Sequence, residues 1–449
     1  MQWHKIFLPE ITELIEQRSL KELGEFLRRL HPADIVDILR DLPSADRVLA
    51  FRVLDKAKLA WVFSLFEPEE QEELLKLFTE QKVKEILLEM DSDDRAQFLE
   101  ELPADVVKRL LALLPHDEKE ITNLILNYPD NSAGRLITTD YMALRADRTA
   151  AAAIEHIRET GLDKETIYIC YVVDKTRKLI GVVSLRDIIL AQPSKKIGDI
   201  MNTIVTRVKT TDDQEVAAKM IQKYDLLAVP VVDQEDRLVG IVTVDDVIDI
   251  FEEEATEDME KMAAVRLPEE EYFKADFLKV VRKRATWLVI LILAETLTSD
   301  LIENYTSSLT SLVALAYFIP MLTSSGGNTG AQSSTLVIRA LAIGEVGLGE
   351  WWTIIRRELW IGTTLGVILG GVAYVKVYQS LGDQTTGLAI GLALLMVVLL
   401  GNILGAIIPL IFSRLGWDPA TVSSPLIATL LDLSGLLIYF EVTRRMLSI

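Results

Sequence analysis

The sequence predicts a multidomain membrane protein with an α-helical superhelical N-terminal domain, an α/β domain of two similar halves and a five-helix transmembrane domain. Three observations carry this reading. The 449 residues bear a formal charge of −20, yet from Phe277 onward 10 Asp and Glu meet 11 Lys and Arg, so the first part is strongly acidic and the last near neutral. Residues 168–187 are echoed by residues 227–246. Five apolar stretches lie beyond residue 285, each near or above the roughly 20 residues that a spanning helix needs.

Residues 1–130 form the predicted cytosolic helical N-domain. Six segments with apolar residues at helical spacing stand out, at 9–15, 33–39, 57–63, 68–75, 93–99 and 104–111, several with proline at or near the start. Their loose repeat of roughly 20–25 residues suggests a small α-solenoid. Nothing within it looks catalytic.

Residues 131–250 change character. Each half reads as a β-branched strand, a polar turn, a second strand and a helix start. The first half carries Gly181-Val-Val-Ser184-Leu-Arg-Asp187 and the second Gly240-Ile-Val-Thr243-Val-Asp-Asp246. On these residues the segment resembles a tandem pair of cystathionine-β-synthase (CBS) motifs. That resemblance implies sensing of a small molecule, often an adenine nucleotide, or of a metal ion. Asp174-Lys175-Thr176 matches the start of a P-type pump's phosphorylation motif, but continues Arg177-Lys178 in a hairpin turn and is set aside. No phosphate-binding Gly-x-x-x-x-Gly-Lys-Ser/Thr loop occurs, so ATP-driven transport lacks its motor.

Residues 251–276 are expected to be an acidic connecting helix. Just before and within it, Asp246, Asp249, Glu253 and Glu257 follow steps of three and four, which puts their carboxylates on one side, where they repel unless a cation neutralises them.

Residues 277–449 are the predicted membrane domain, with spans at about 286–303, 309–337, 355–378, 386–413 and 421–443. Lys279, Arg282, Lys283 and Arg284, then Arg339, Arg356 and Arg357, then Arg414 all fall on one side, which places the N-terminal domains in the cytosol. Arg444 and Arg445 fall on the other side, against the rule. Within the last span lies Asp432. An ionisable group at that depth costs about 2.5–3.5 kcal/mol on insertion scales and is retained where it meets a partner or a water-filled path, which points to cation transport. The run Gly326-Gly327-Asn328-Thr329-Gly330 is expected to break the second span where it lines a cavity.

Other classes recede. An acidic soluble part does not favour nucleic acid, which requires a basic footprint, and suits hard cations such as Mg²⁺ or Ca²⁺. Cys170 is the lone cysteine, which excludes an intramolecular disulfide and fits a reducing compartment. The N-terminal residues show no secretory signal. The histidines, His4, His31, His116 and His156, are scattered and no nucleophile–base spacing stands out, so an enzyme is not expected.

Taken in order, the parts resemble the MgtE family of Mg²⁺ channels and transporters. The residues that carry this are Ala57-Lys-Leu-Ala, Ala133-Gly-Arg-Leu, Gly240-Ile-Val-Thr-Val-Asp-Asp-Val-Ile-Asp, Glu254-Ala-Thr-Glu-Asp, Ser325-Gly-Gly-Asn-Thr-Gly330 and Pro425-Leu-Ile-Ala-Thr-Leu-Leu-Asp432. The resemblance implies an inner-membrane homodimer with an ion path on its two-fold axis, lined largely by spans 2 and 5. Asp432 would hold a hydrated Mg²⁺ near the backbone oxygen of Ala428, with Gly326 to Thr329, Ser424 and Pro425 lining the path. It further implies that cytosolic Mg²⁺ closes the pore by bridging acids of the N-domain, the CBS pair and the connecting "plug" helix. The matching positions are Asp93, Asp213, Glu215, Asp225, Asp246, Asp249, Glu254, Glu257, Asp258 and Asp418, with backbone oxygens at Arg135 and Gln222. Trp61 and Gln97 stand where acidic ligands are expected, and Ser424 where an asparagine is expected. Two alternatives remain: a transporter coupling Mg²⁺ to H⁺ or Na⁺ through Glu295 or Glu358, and a membrane-anchored CBS sensor.

Overall fold

In a computed structural model of the protein, the described residues are 4–265, 276–305, 313–422 and 424–448. They fall into two compact units, Met1–Glu252 and Glu253–Ile449.

The first unit opens with ten short helices: α1 (His4–Glu16), α2 (Leu20–Arg29), α3 (Pro32–Arg40), α4 (Ser44–Val53), α5 (Lys56–Ser64), α6 (Pro68–Leu77), α7 (Glu80–Glu89), α8 (Ser92–Glu100), α9 (Ala104–Leu111) and α10 (His116–Leu126). None is long enough to persist alone in water. They hold by burying one stripe each, among them Leu27, Ile38, Phe51, Phe63 and Leu87, in a core that runs from Ile11 to Leu114. Their ends are set locally. Asp55 accepts from the Lys58 N–H, Thr79 accepts from the Lys82 N–H, and proline opens α3 and α6. Arg95 of α8 is 1 % exposed and ties three helices together. It donates to the Leu87 carbonyl, the Thr122 hydroxyl and the Glu118 carboxylate.

The α/β part follows as β1 (Tyr141–Arg145), α11 (Ala150–Thr160), β2 (Thr166–Val173), β3 (Leu179–Ser184) and α12 (Leu185–Leu190), then β4 (Val208–Lys209), α13 (Gln214–Tyr224), β5 (Ala228–Val232), β6 (Leu238–Thr243) and α14 (Val244–Met262). Two three-stranded sheets result, ordered β1-β2-β3 and β4-β5-β6, each with one parallel and one antiparallel pairing. The duplication extends to the register: Gly181 faces Val172 in one sheet and Gly240 faces Val231 in the other. A side chain at Gly240 would meet the Thr138 carbonyl oxygen at 2.7 Å. The repeated Ser/Thr-x-x-Asp signature is a helix cap. Ser184 accepts from the Asp187 N–H and donates to its carboxylate, and Thr243 donates to Asp246. The pump-like Asp174 spends its Oδ1 on the N–H groups of Thr176 and Lys178, as Asp233 does for Glu235 and Arg237. It is a turn residue. Cys170 is buried in the β2 strand, and burial pushes its thiol up to about 12.

The acidic connecting helix differs from expectation at both ends. It is continuous with the cap of the second CBS half, starting at Val244 and stopping at Met262. No breaker lies between Thr243 and Glu257, so the chain has no reason to restart at residue 251. Residues 266–275 of the expected helix lie outside the described residues.

Among its described residues the second unit contains five long helices: α15 (Phe277–Asn304), α16 (Ile319–Ala342), α17 (Trp351–Leu381), α18 (Gln384–Arg414) and α19 (Ser424–Leu447). Four of them, all but α16, are long and apolar enough to cross a membrane. α16 has the length, but Ser, Thr, Asn and Gly dilute its apolar character. It starts ten residues later than the second apolar stretch, with Pro320 in its first turn; residues 309–312 of that stretch lie outside the described residues.

The expected break at Gly326–Gly330 is absent, and α16 is helical throughout. The glycines serve close approach instead. A Cβ on Gly326 would stand 2.8 Å from Val397, and one on Gly330 would collide with Leu431 and Ile427. Across the seam, Gly401 and Gly405 approach the carbonyl oxygens of Gly326 and Gly330. Small residues on both helices let backbones meet, which is how helices associate where lipid supplies no hydrophobic drive.

Candidate functional site

Asp432 sits on α19 between buried Leu431 and half-buried Leu433. Among the described residues it has no hydrogen-bond or ion-pair partner. The other acids nearby in sequence are spoken for: Glu441 pairs with Arg444 and Arg445, and Asp418 with Lys261. A structural role for Asp432 would require the partner it lacks. One turn earlier, Ala428 packs against Gly327 of α16, where a Cβ would lie 3.4 Å from the Ala428 Cβ. Asn328 is exposed, whereas Gly326, Gly327 and Thr329 are buried in the seam and the Thr329 hydroxyl donates to the Ser325 carbonyl. Ser424 and Pro425 form the first turn of α19.

The acids predicted to sense cations lie in several places. The densest is where α8 approaches the start of α14. Asp93 is pushed well above the usual carboxylate range, first by burial and then by the charges of Asp246, Asp94 and Asp91. Burial, with Asp245 and Asp94 adding repulsion, pushes Asp246 up to about 6 although its bonds to Thr243 pull the other way. Asp94 is raised by burial and by Asp245 and Asp249. Among the described residues Asp93 Oδ1 is buried without a hydrogen-bond partner. No three His, Cys, Asp or Glu side chains among the described residues are gathered tightly enough to enclose a metal. The donor set nevertheless fits a hydrated Mg²⁺, which keeps its waters and takes one or two carboxylates.

A second grouping joins the last turn of α14 to the segment before α19. The Lys261 ammonium lies 2.7 Å from Glu257 Oε1 and 2.6 Å from Asp418 Oδ2, so two of the expected ligands already share a cation. Glu254 and Asp258 lie on the same helix. The remaining positions are not brought together. Asp213 caps α13 and Glu215 pairs with Lys219, while Gln222 and Asp225 lie at the far end of that helix. Arg135 pairs with Glu100 and Asp130. Trp61 is exposed beside His31. Sequence reading missed Asp94 and Lys261. The run Asp91-Ser-Asp-Asp94 could have flagged the first, but nothing local marks the second.

The CBS pair also has a groove of about 450 Å³, lined by Tyr168, Leu185, Arg186, Leu190 and Leu227. It offers an aromatic face and a guanidinium, the chemistry that a base and a phosphate require.

Asp93, Asp94 and Asp246 hold protons in the ion-free fold at pH values where the unfolded chain has released them. For Asp246 this contribution to stability is present below about pH 4 and is lost as pH rises through about 6, and for Asp93 and Asp94 it is lost in the same direction. For Asp246 alone this amounts to at most about 3 kcal/mol. The melting temperature of the chelator-treated protein should therefore fall between pH 5 and pH 8, and millimolar Mg²⁺ should remove most of that fall. An equal slope with and without Mg²⁺ would refute the grouping.

Three family descriptions match the chain. "Divalent cation transporter" (MgtE) covers residues 319–442, "MgtE intracellular N domain" residues 30–131, and "CBS domain" residues 133–194 and 197–253. The magnesium transporter MgtE of Thermus thermophilus is 44 % identical over 323 residues, 72 % of each chain. That of Enterococcus faecalis is 38 % identical over 71 % of this chain and 70 % of its own, and that of Bacillus subtilis 36 % over 72 % of each. Two solved structures are similar to the soluble part. The cytosolic domain of the Mg²⁺ channel MgtE in complex with ATP is 38 % identical, with TM-score 0.52, over 54 % of this chain and 99 % of that one. The soluble part of a magnesium transporter is 33 % identical, with TM-score 0.54, over 56 % and 99 %.

Proposed function

The chain belongs to the MgtE family of magnesium transporters, and from that premise we propose that it carries Mg²⁺ across the inner membrane as a self-gated homodimeric channel. Asp432, unpartnered among the described residues, carries this reading. Two such carboxylates, one from each protomer, would hold a hydrated Mg²⁺ electrostatically without stripping its shell, as this cation prefers. Gating is assigned to the acids of α8 and α14. At low cytosolic Mg²⁺ the like charges of Asp93, Asp94, Asp246 and Asp249 repel. At high Mg²⁺ they share a divalent charge and draw together. The groove beside Tyr168 and Arg186 is assigned to an adenine nucleotide.

The test is Mg²⁺ flux into proteoliposomes with the cytosolic face held first at low and then at high Mg²⁺. Fast flux suppressed by high cytosolic Mg²⁺ is expected. Absence of wild-type flux at both levels would return the chain to the sensor reading. Neutralising Asp246, Asp249 and Glu257 together should leave flux high at a Mg²⁺ concentration that closes the wild type; normal closure of this triple variant would sink the gating assignment.

A further inference from the structure

Glu358 is an intramembrane acid that ion permeation, as proposed above, does not use. It lies on α17, 7 % exposed, and Ser333 of α16 and Asn402 of α18 are 2 % and 3 % exposed beside it. The Ser333 hydroxyl is 2.9 Å from Glu358 Oε2 and 3.0 Å from the Asn402 carbonyl oxygen, so one hydroxyl joins three helices. Gly362 of α17 closes the contact, since a Cβ there would stand 3.0 Å from the Asn402 Cβ. A polar centre at this depth has no water to fall back on, and its geometry is strongly specified.

From this geometry we infer that Glu358 is a positioning residue for the ion site: it holds α16 in register through Ser333, and α16 in turn sets Asp432. The connection runs along α16. Ser333 lies one turn beyond Gly330, and Gly330 is the flat surface against which Leu431 and Ile427 of α19 rest. Leu431 immediately precedes Asp432. Sliding or rotating α16 would replace that surface with Thr329 or Ala331 and push Leu431 outward, carrying the carboxylate with it. The glutamate is needed here as a hydrogen-bonding group of fixed length. Glutamine, which presents an amide oxygen and nitrogen at the same reach, serves equally.

The inference rests on the transport reading, so the test needs one readout that does not. Spin labels at Leu336→Cys on α16 and Leu437→Cys on α19, both exposed positions, report the register of the two helices without transport. In Glu358→Leu and in Ser333→Ala their distance distribution should shift or broaden, and in Glu358→Gln it should match the parent. In proteoliposomes the two disruptive variants should raise the half-saturating Mg²⁺ concentration by about tenfold, with maximal flux less affected, and the double variant should be no worse than the more severe single one. Ser333→Ala removes a single oxygen and keeps the experiment decisive if Glu358→Leu does not fold. Parent-like distances in Ser333→Ala would overturn the inference. A Glu358→Gln variant as impaired as Glu358→Leu would overturn it in favour of a proton or sodium site. Absence of wild-type flux would refute the transport reading and leave the distance result to decide the register.

Discussion

Asp432→Ala should abolish the preference for Mg²⁺ while leaving the fold intact. Most intramembrane acids cannot be removed so cleanly, because a partner is left unsatisfied. Asp432 has none among the described residues, so the alanine variant relieves a desolvated charge and strands no donor. Its melting temperature in detergent should equal or exceed that of the wild type. Transport should behave in the opposite way. Losing the only carboxylate on this face of α19 removes an attraction of about 2 kcal/mol or more, a roughly 30-fold or greater loss of Mg²⁺ affinity. Asp432→Asn keeps the size and one oxygen and should fail nearly as badly, since charge rather than shape holds a hydrated ion. Wild-type Mg²⁺ flux in Asp432→Ala would end the assignment of the ion site.

The second large effect is on folding. Gly405→Val should prevent recovery of a monodisperse, folded membrane domain. A Cβ at Gly405 would collide with the Gly330 carbonyl oxygen and press on the Ser333 Cβ. The first of these is backbone and cannot rotate away. Relief requires α16 and α18 to separate along the whole glycine seam, forfeiting the contacts of Gly326 and Gly401 as well. Overpacking of this kind costs about 3 kcal/mol or more. Gly371→Val is the matched control, because a Cβ at Gly371 meets nothing within 4 Å. It should fold and melt as the wild type does. Size-exclusion profiles and thermal unfolding of the pair decide the point, and equal behaviour would show that the seam is looser than described.

How much of this was legible in the residues depended on whether the signal was local. The CBS halves were, because Ser184-x-x-Asp187 and Thr243-x-x-Asp246 build their caps within four residues. Asp432 was legible because an acid in an apolar run needs no third dimension to look anomalous. The number of N-terminal helices was not: ten helices of 8–13 residues are present where six segments stood out. The separators are two to four residues long, and the stripes that define the helices are completed by neighbours distant in sequence. The run at Gly326–Gly330 misled for a related reason. Glycine spacing alone does not distinguish a helix that breaks from one pressed against another, and only Val397, Leu431 and Gly405, 65 residues or more away, make the difference. Lys261 reaches Asp418 across 157 positions, beyond any pattern along the chain.

The hairpin of α17 and α18 has a consequence for how the protein is made. The two helices have 31 residues each, about 46 Å, and only Gly382 and Asp383 separate them. Gly382 turns the chain in the left-handed region at φ 70°, and Asp383 accepts from the N–H groups of Thr385 and Thr386, so the tip already satisfies its own polar groups. Gly370 and Gly391 let the two backbones touch within the pair. Such a hairpin can leave the translocon and enter the bilayer as one preformed piece, with almost no loop to export, docking on α16, which precedes it, before α19 reaches the bilayer.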